Sequence, residues 1–427
     1  MNLLKMALSF CLLVFASQAM ASVWESTAEW NQDSEKEFAD FIQNKVTVDI
    51  FSSRRSPYYG ISTDCADAVY TLRVIFAHDH QLQFAMKNPR SPRELITSDM
   101  DRWDNLPVEQ RFIKFVNYVK DMGTSQSLIE DTYPIAINKT YVTAGTVFLN
   151  PILGNVPGLM NDGHSEYVQS IESTGYISFL SSTVPAAVRR LNVTLVNTLV
   201  PQVTTGGFRR FMQPAFYGMK LSELPGYSTE QFRMGHWQER AMDSRRQIFE
   251  WHEAIRNRLR DRVASPEEVM GYLIENICTL LKTRVTAVDE AAARLQGHSC
   301  LDPQSAEYDD LSTPSRDSRI FDNYALLEEL LKIQDSRSDT EKVYDALRSS
   351  RGAGSSPITS TINVETYDMG RARSGLEQCN VEYMPGQTMN AYELYKVTKS
   401  GHLESNPNYS IPVRWGIPES GNTKLCH

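Results

Sequence analysis

Residues 56–76 read SPYYGISTDCADAVYTLRVIF, and the change of character inside this stretch decides the fold. Its first part, with Pro57 and Gly60, is loop sequence. Asp64 is a good N-cap, and Asp67 three residues later completes a variant of the capping box, so a helix opens at Cys65. Cys65, Ala68, Val69, Leu72, Ile75 and Phe76 share one stripe of that helix, which predicts burial of the side that carries the cysteine.

Working outward, Phe38, Phe41, Ile42 and Val46 recur at helical spacing and predict a helix from Ser34 to about Phe51. Phe112, Phe115, Val116 and Val119 predict a second amphipathic helix over 108–119. The texture then changes. TYVTAGTVFLNP, HSEYVQSI, GYISFLSS and NVTLVNTLV are short, rich in β-branched and aromatic residues, and separated by Gly, Asn and Pro, which predicts strands. A cysteine-bearing helix ahead of an antiparallel sheet that carries His164 is an α+β layout. Beyond about Gly226 the pattern is helical again, with Ile248, Trp251, Ile255 and Leu259 at 3–4 spacing. RGAGSSP, from Arg351 to Pro357, reads as a linker, and the residues after it read as irregular or weakly β.

The first 21 residues have the form of an export leader: Lys5, the apolar run LSFCLLVFA, and Ala19-Met20-Ala21 as an A-x-A cleavage site. No Cys follows that site, and no later run of about 20 apolar residues would span a bilayer. The expectation is a periplasmic or secreted protein without a transmembrane segment. Its formal net charge of −9 argues against nucleic acid as a partner. Loss of Cys11 with the leader leaves Cys65, Cys278, Cys300, Cys379 and Cys426, an odd number in an oxidising compartment. The economical pairing joins Cys278 to Cys300 and Cys379 to Cys426, and leaves Cys65 free.

A cysteine attacks carbonyl carbon as thiolate, and the unpaired N–H groups of a helix N-terminus favour the charged form. Such a site needs an imidazole to take the proton and return it to the leaving amine. Of the eight histidines, His164 alone follows a turn, Asn161-Asp162-Gly163, and opens a strand. His78 and His80 are two apart on a helix and do not share a face, so no metal site is expected there.

The stretch around Cys65 resembles the nucleophile segment of NlpC-type peptidases, papain-like cysteine enzymes that cut cell-wall peptides; the matching residues are Pro57, Tyr58, Gly60, Asp64 and Cys65. Ala144 to Phe148 is similar to a further strand of that family, and Gly163-His164 to its histidine strand. The resemblance covers about residues 55–185. It implies a papain-like core, a catalytic helix packed on an antiparallel sheet, followed by a mostly helical region. The expected divisions are a leader over 1–21, a helical segment over 22–55, the papain-like domain over 56–225, a helical domain over 226–350, and linker and tail over 351–427. Ala66 and Asp67 stand where the family has Ser and Gly, and the 99-residue span from Cys65 to His164 implies an insertion that holds the 108–119 helix.

The resemblance implies a cysteine hydrolase of peptidoglycan stem peptides that uses no cofactor or metal. Cys65 attacks, the Tyr58 hydroxyl helps to stabilise the oxyanion, and His164 shuttles the proton. The group that orients His164 is expected among Ser178, Ser181 and Ser182 on the next strand, or is Glu166, on the same strand face as the histidine. Two alternatives stand beside this. One is an inactive papain-like envelope-binding or adaptor protein; the other is an amide transferase, because HSEYVQSIESTGYISFLSSTVP is also similar to the transglutaminase-like pattern. GGFRR near residue 206 reads as a flexible turn that offers two arginines to a carboxylate, and Ser315 or Asp317 as the cap of a helix opening near 314.

Overall fold

The computed structural model describes residues 22–151, 163–238, 244–336, 370–420 and 423–426; the leader and the RGAGSSP stretch lie outside them. Asn31 accepts the N–H groups of Asp33 and Ser34 and so starts helix α1 (Gln32–Asp40). This helix is shorter than its periodicity predicts. It widens into a π turn over Phe41–Lys45 and ends in turns, an irregular path that still carries Phe41, Ile42, Val46 and Phe51 into the core. Asp64 then caps α2 (Cys65–Asp79), accepting from the Asp67 N–H at 2.8 Å while its own N–H donates to the Asp67 carboxylate at 3.2 Å.

One stripe of α2 is apolar in sequence, yet the structure buries every residue from Cys65 to Ala77. The polar members have partners. Arg73 forks onto Glu35 at 2.8 and 3.2 Å with its guanidinium 3.5 Å from the Trp30 ring centroid, and the Tyr70 hydroxyl donates to Asp131 at 2.6 Å. Paired in this way, a charged side chain can sit in a core that would otherwise exclude it.

After the short hairpin of β1 (Ala85–Lys87) and β2 (Leu95–Thr97), helix α3 (Val108–Met122) covers α2 with Phe112, Phe115, Val116 and Val119, as their spacing predicts. The single turn α4 (Leu128–Asp131) leads into one antiparallel sheet. Its strands are β3 (Thr132–Pro134), β4 (Val147–Asn150), β5 (His164–Ile171), β6 (Ile177–Ser181), β7 (Asn192–Thr194) and β8 (Gly207–Phe211), in the order β3-β8-β4-β5-β6-β7. The helices and this sheet make the chain α+β. NVTLVNTLV forms only the three residues of β7. GGFRR is no loose turn: it is the interior strand β8, and Arg209 is buried there, donating to Thr132 Oγ1 at 2.6 Å and to the Thr132 and Ile129 carbonyls. Burial holds that guanidinium down at about 10.

Strand alternation gives the sheet two apolar faces. Val147, Leu149, Tyr167, Leu180 and Phe211 join α1, α2 and α3 in one core. Phe148, Val168, Phe179 and Phe208 point the other way and pack on Trp251, Ile255 and Leu259 of α5 (Ser244–Leu259). Helix α5 thus belongs to the sheet's core, although its sequence continues the helical pattern that opens near 226.

A third core is built from α6 (Pro266–Leu295), α8 (Pro314–Ser336) and the C-terminal segment, with the short α7 (Ala306–Leu311) between the two long helices. The C-terminal segment is ordered around α9 (Gly370–Gln378), the hairpin of β9 (Asn380–Met384) and β10 (Gln387–Asn390), and α10 (Ala391–Lys399), so it is more regular than its scattered Pro and Gly predict. Asp317 does not cap α8 but pairs with buried Arg284 at 2.6 Å, and Thr313 ahead of the helix bonds the same carboxylate. The economical disulfide pairing is overturned: Cys278 joins Cys379 and Cys300 joins Cys426, while Cys65 is free. Cys278 lies 17 residues before the end of α6, about 26 Å along a rigid helix, which carries it away from Cys300 and against the end of α9. Among the described residues no helix is long and apolar enough to cross a membrane.

Candidate functional site

Cys65 is the first residue of α2, where the capping box presents its backbone to the helix start. The structure sets Gly163 and Ser165 against it. The Cys65 Sγ lies 4.0 Å from the Gly163 carbonyl oxygen, and Ser165 interacts with the thiol from the start of β5. Burial, reinforced by the neighbouring Asp64 carboxylate, pushes the thiol up to about 12; contacts with Ser165 and the Ala66 N–H oppose that and are outweighed. The positive end of a helix favours thiolate, but here desolvation and an adjacent anion win. At neutral pH the sulfur is a thiol.

His164 stands one residue away, and in a strand one residue is the difference between faces. Ser165 shares its face with Tyr167, whose hydroxyl donates to the Val69 carbonyl of α2 at 2.8 Å. His164 shares its face with Glu166 and Val168, the side covered by α5. There the His164 Nε2 lies 2.9 Å from Glu166 Oε1, an ion contact off the ideal hydrogen-bond direction. Asn197 Nδ2 donates to the other carboxylate oxygen at 2.7 Å, and Arg319 of α8 reaches within 4.0 Å. Burial opposes the charge on Glu166, but His164, Arg319 and Ser181 together hold its carboxyl below the usual range. His252 of α5, turned to the Leu199 carbonyl at 3.0 Å, is kept neutral by burial and by Arg256, down to about 3.

Of the residues expected to complete the machinery, Tyr58 and Ser178 lie elsewhere. The Tyr58 hydroxyl donates to Asp79, at the opposite end of α2 from Cys65. That helix of 15 residues separates the two ends by about 21 Å at 1.5 Å per residue, so Tyr58 supports no oxyanion at Cys65. Ser178 pairs with Ser170 near the far end of β5 from His164. Ser182 donates to the Thr63 carbonyl at 2.9 Å and anchors the approach to α2. Glu166 is the partner that meets His164, with Ser181 beside it.

Sequence reasoning did not find Asn197, Arg319 or the opposing role of Ser165. Alternation along HSEYV carries the signal for Ser165, because the residue after a histidine faces the other way. Nothing local marks Asn197 or Arg319, which arrive from 31 and 153 residues downstream of Glu166. Among the described residues no group of three or more His, Cys, Asp or Glu side chains is arranged to hold a metal ion. No protein-family model, curated protein or solved structure matches the chain.

Proposed function

We propose that this chain is an exported envelope-binding protein on a papain-like scaffold, in which Cys65 is a buried thiol and not a working nucleophile. The observation that carries this reading is the division across β5: Cys65 meets Gly163 and Ser165 on one face, and His164 meets Glu166 on the other. A cysteine nucleophile needs its base within hydrogen-bond reach. The leader-like first 21 residues and two disulfides support a periplasmic or secreted location. The NlpC-like residues around Cys65 make cell-wall peptide the first ligand class to test.

Incubation of the mature chain with purified peptidoglycan tests this directly. The expected result is co-sedimentation without release of soluble peptide, unchanged in Cys65→Ala. Release of peptide that iodoacetamide and Cys65→Ala both abolish overturns it.

A cysteine hydrolase of cell-wall peptides is the second reading, favoured by the free thiol at the first position of a capped helix. It requires a one-residue shift at the start of β5 on substrate binding, which would exchange Ser165 for His164 opposite Cys65.

A further inference from the structure

Two surface segments leave the fold from one buried carboxylate. Asp131, the last residue of α4, accepts the Lys87 N–H at 2.6 Å and the Tyr217 hydroxyl at 2.9 Å, both on Oδ1. Lys87 ends β1, and Tyr217 belongs to the segment that follows β8, where its hydroxyl also lies 3.2 Å from the Ala85 carbonyl of β1. The β1–β2 hairpin and residues 214–223 are therefore neighbours, held by their bases.

Residues 214–223 follow a defined path yet leave apolar side chains in water. Pro214 starts a 3₁₀ turn, Gly218 bends the chain at φ +92°, and Leu224 returns it to the core. Between these points Met219 and Leu221 are 44% and 43% exposed. Leu95, opposite Lys87 in the hairpin, is 37% exposed. One exposed apolar residue calls for no explanation, but three on adjacent segments among cations do. Lys87, Arg90 and Arg93 lie along the hairpin and Lys220 stands between Met219 and Leu221, against the carboxylates of Glu94 and Glu223. Arg90 and Arg93 are exposed and enter no ion pair among the described residues. The chain as a whole carries −9, so this local excess of positive charge runs against its average.

We propose that this face docks on an anionic phospholipid bilayer, with Met219, Leu221 and Leu95 entering the headgroup boundary while Lys87, Arg90, Arg93 and Lys220 meet lipid phosphates. Apolar side chains flanked by Lys and Arg suit a membrane interface, where buried apolar area adds to attraction for anionic headgroups. A soluble polyanion would engage the cations but give the apolar residues nothing to enter; a bilayer accounts for both. The inference concerns the lipid surface, not cell-wall peptide, and is independent of Cys65.

Co-sedimentation of the mature chain with vesicles of phosphatidylglycerol and of phosphatidylcholine tests it. Binding to the anionic vesicles is expected to be at least about tenfold tighter and to weaken as salt rises. Each of Arg90→Gln and Arg93→Gln is expected to weaken it about fivefold, and Met219→Ser with Leu221→Ser to weaken it at high salt as well as low. All four positions are exposed, so these changes leave the fold intact, which circular dichroism checks. Arg190→Gln with Lys282→Gln removes two exposed cations near β7, at the other edge of the sheet, and should leave binding unchanged. No binding to phosphatidylglycerol, equal binding to both lipids, or equal weakening by the β7 pair and the Arg90 and Arg93 pair overturns the proposal. Indifference to Met219→Ser with Leu221→Ser also overturns it, since charge alone would then account for the contact. Peptidoglycan binding is read in a separate sedimentation, so failure of either result leaves the other standing.

Discussion

His164 and Glu166 meet at 2.9 Å on the α5 side of the sheet, whereas Ser165 between them faces Cys65. The imidazole a thiol would need is therefore engaged with a buried carboxylate that Asn197 also holds.

The state of the sulfur gives the first prediction. With the Cys65 thiol pushed up to about 12 by burial and Asp64, alkylation by iodoacetamide at pH 8 should be at least about a hundredfold slower in the folded protein than in urea. Because the other described cysteines are in disulfides, the rate can be followed without reductant by mass spectrometry. Folded and unfolded rates within a factor of about three would mean that Cys65 is activated.

Glu166 is the hub of the buried charges behind β5. Glu166→Gln keeps its shape but removes the carboxylate that faces His164 and Arg319. The expected loss is about 3 kcal/mol of stability by urea denaturation, the size typical of breaking a buried ion pair. Ser178→Ala, on β6 opposite the far end of β5, should change it by less than about 1 kcal/mol.

Asp131 and Asp67 should together lower stability as pH rises from about 4 to about 7, against the opposing contribution of His252, whose depressed value adds stability as pH rises toward the ordinary imidazole range. Asp131, desolvated beside α4 and receiving Tyr70, Tyr217 and the Lys87 N–H, is pushed up to about 7. Burial, together with Asp64, also raises Asp67 to about 7. A raised carboxyl stays protonated in the native state after the unfolded chain has lost its proton, so the advantage is complete below the unfolded value and disappears through the native one. Denaturant midpoints at pH 5 and pH 8 measure this. Asp131→Asn should flatten the difference, and an unchanged slope in that variant would remove Asp131 from the account.

Peptide mapping without reduction should recover Cys278 linked to Cys379 and Cys300 linked to Cys426. Each closes a span of more than 100 residues, so replacing Cys300 and Cys426 together by Ala should cost about 2–5 kcal/mol. Peptides joining Cys278 to Cys300 would contradict the packing of α9 on α6.

Short-range physics made much of this protein legible in its sequence. The start of α2 at Cys65 follows from the Asp64 cap, α3 from four apolar residues at helical spacing, and β5 from the pattern of HSEYVQSI, because each depends on residues within a few positions of one another. The odd cysteine follows from counting. Tertiary structure decided the rest through contacts that no local pattern encodes. The length of α2 put Tyr58 at the wrong end, sheet pairing turned GGFRR into an interior strand, and the rigidity of α6 separated Cys278 from Cys300. Which face of β5 meets α2 also lay beyond a local reading, since alternation fixes which residues share a face but not which core that face joins. That choice sets Ser165 against the thiol and sends His164 to Glu166.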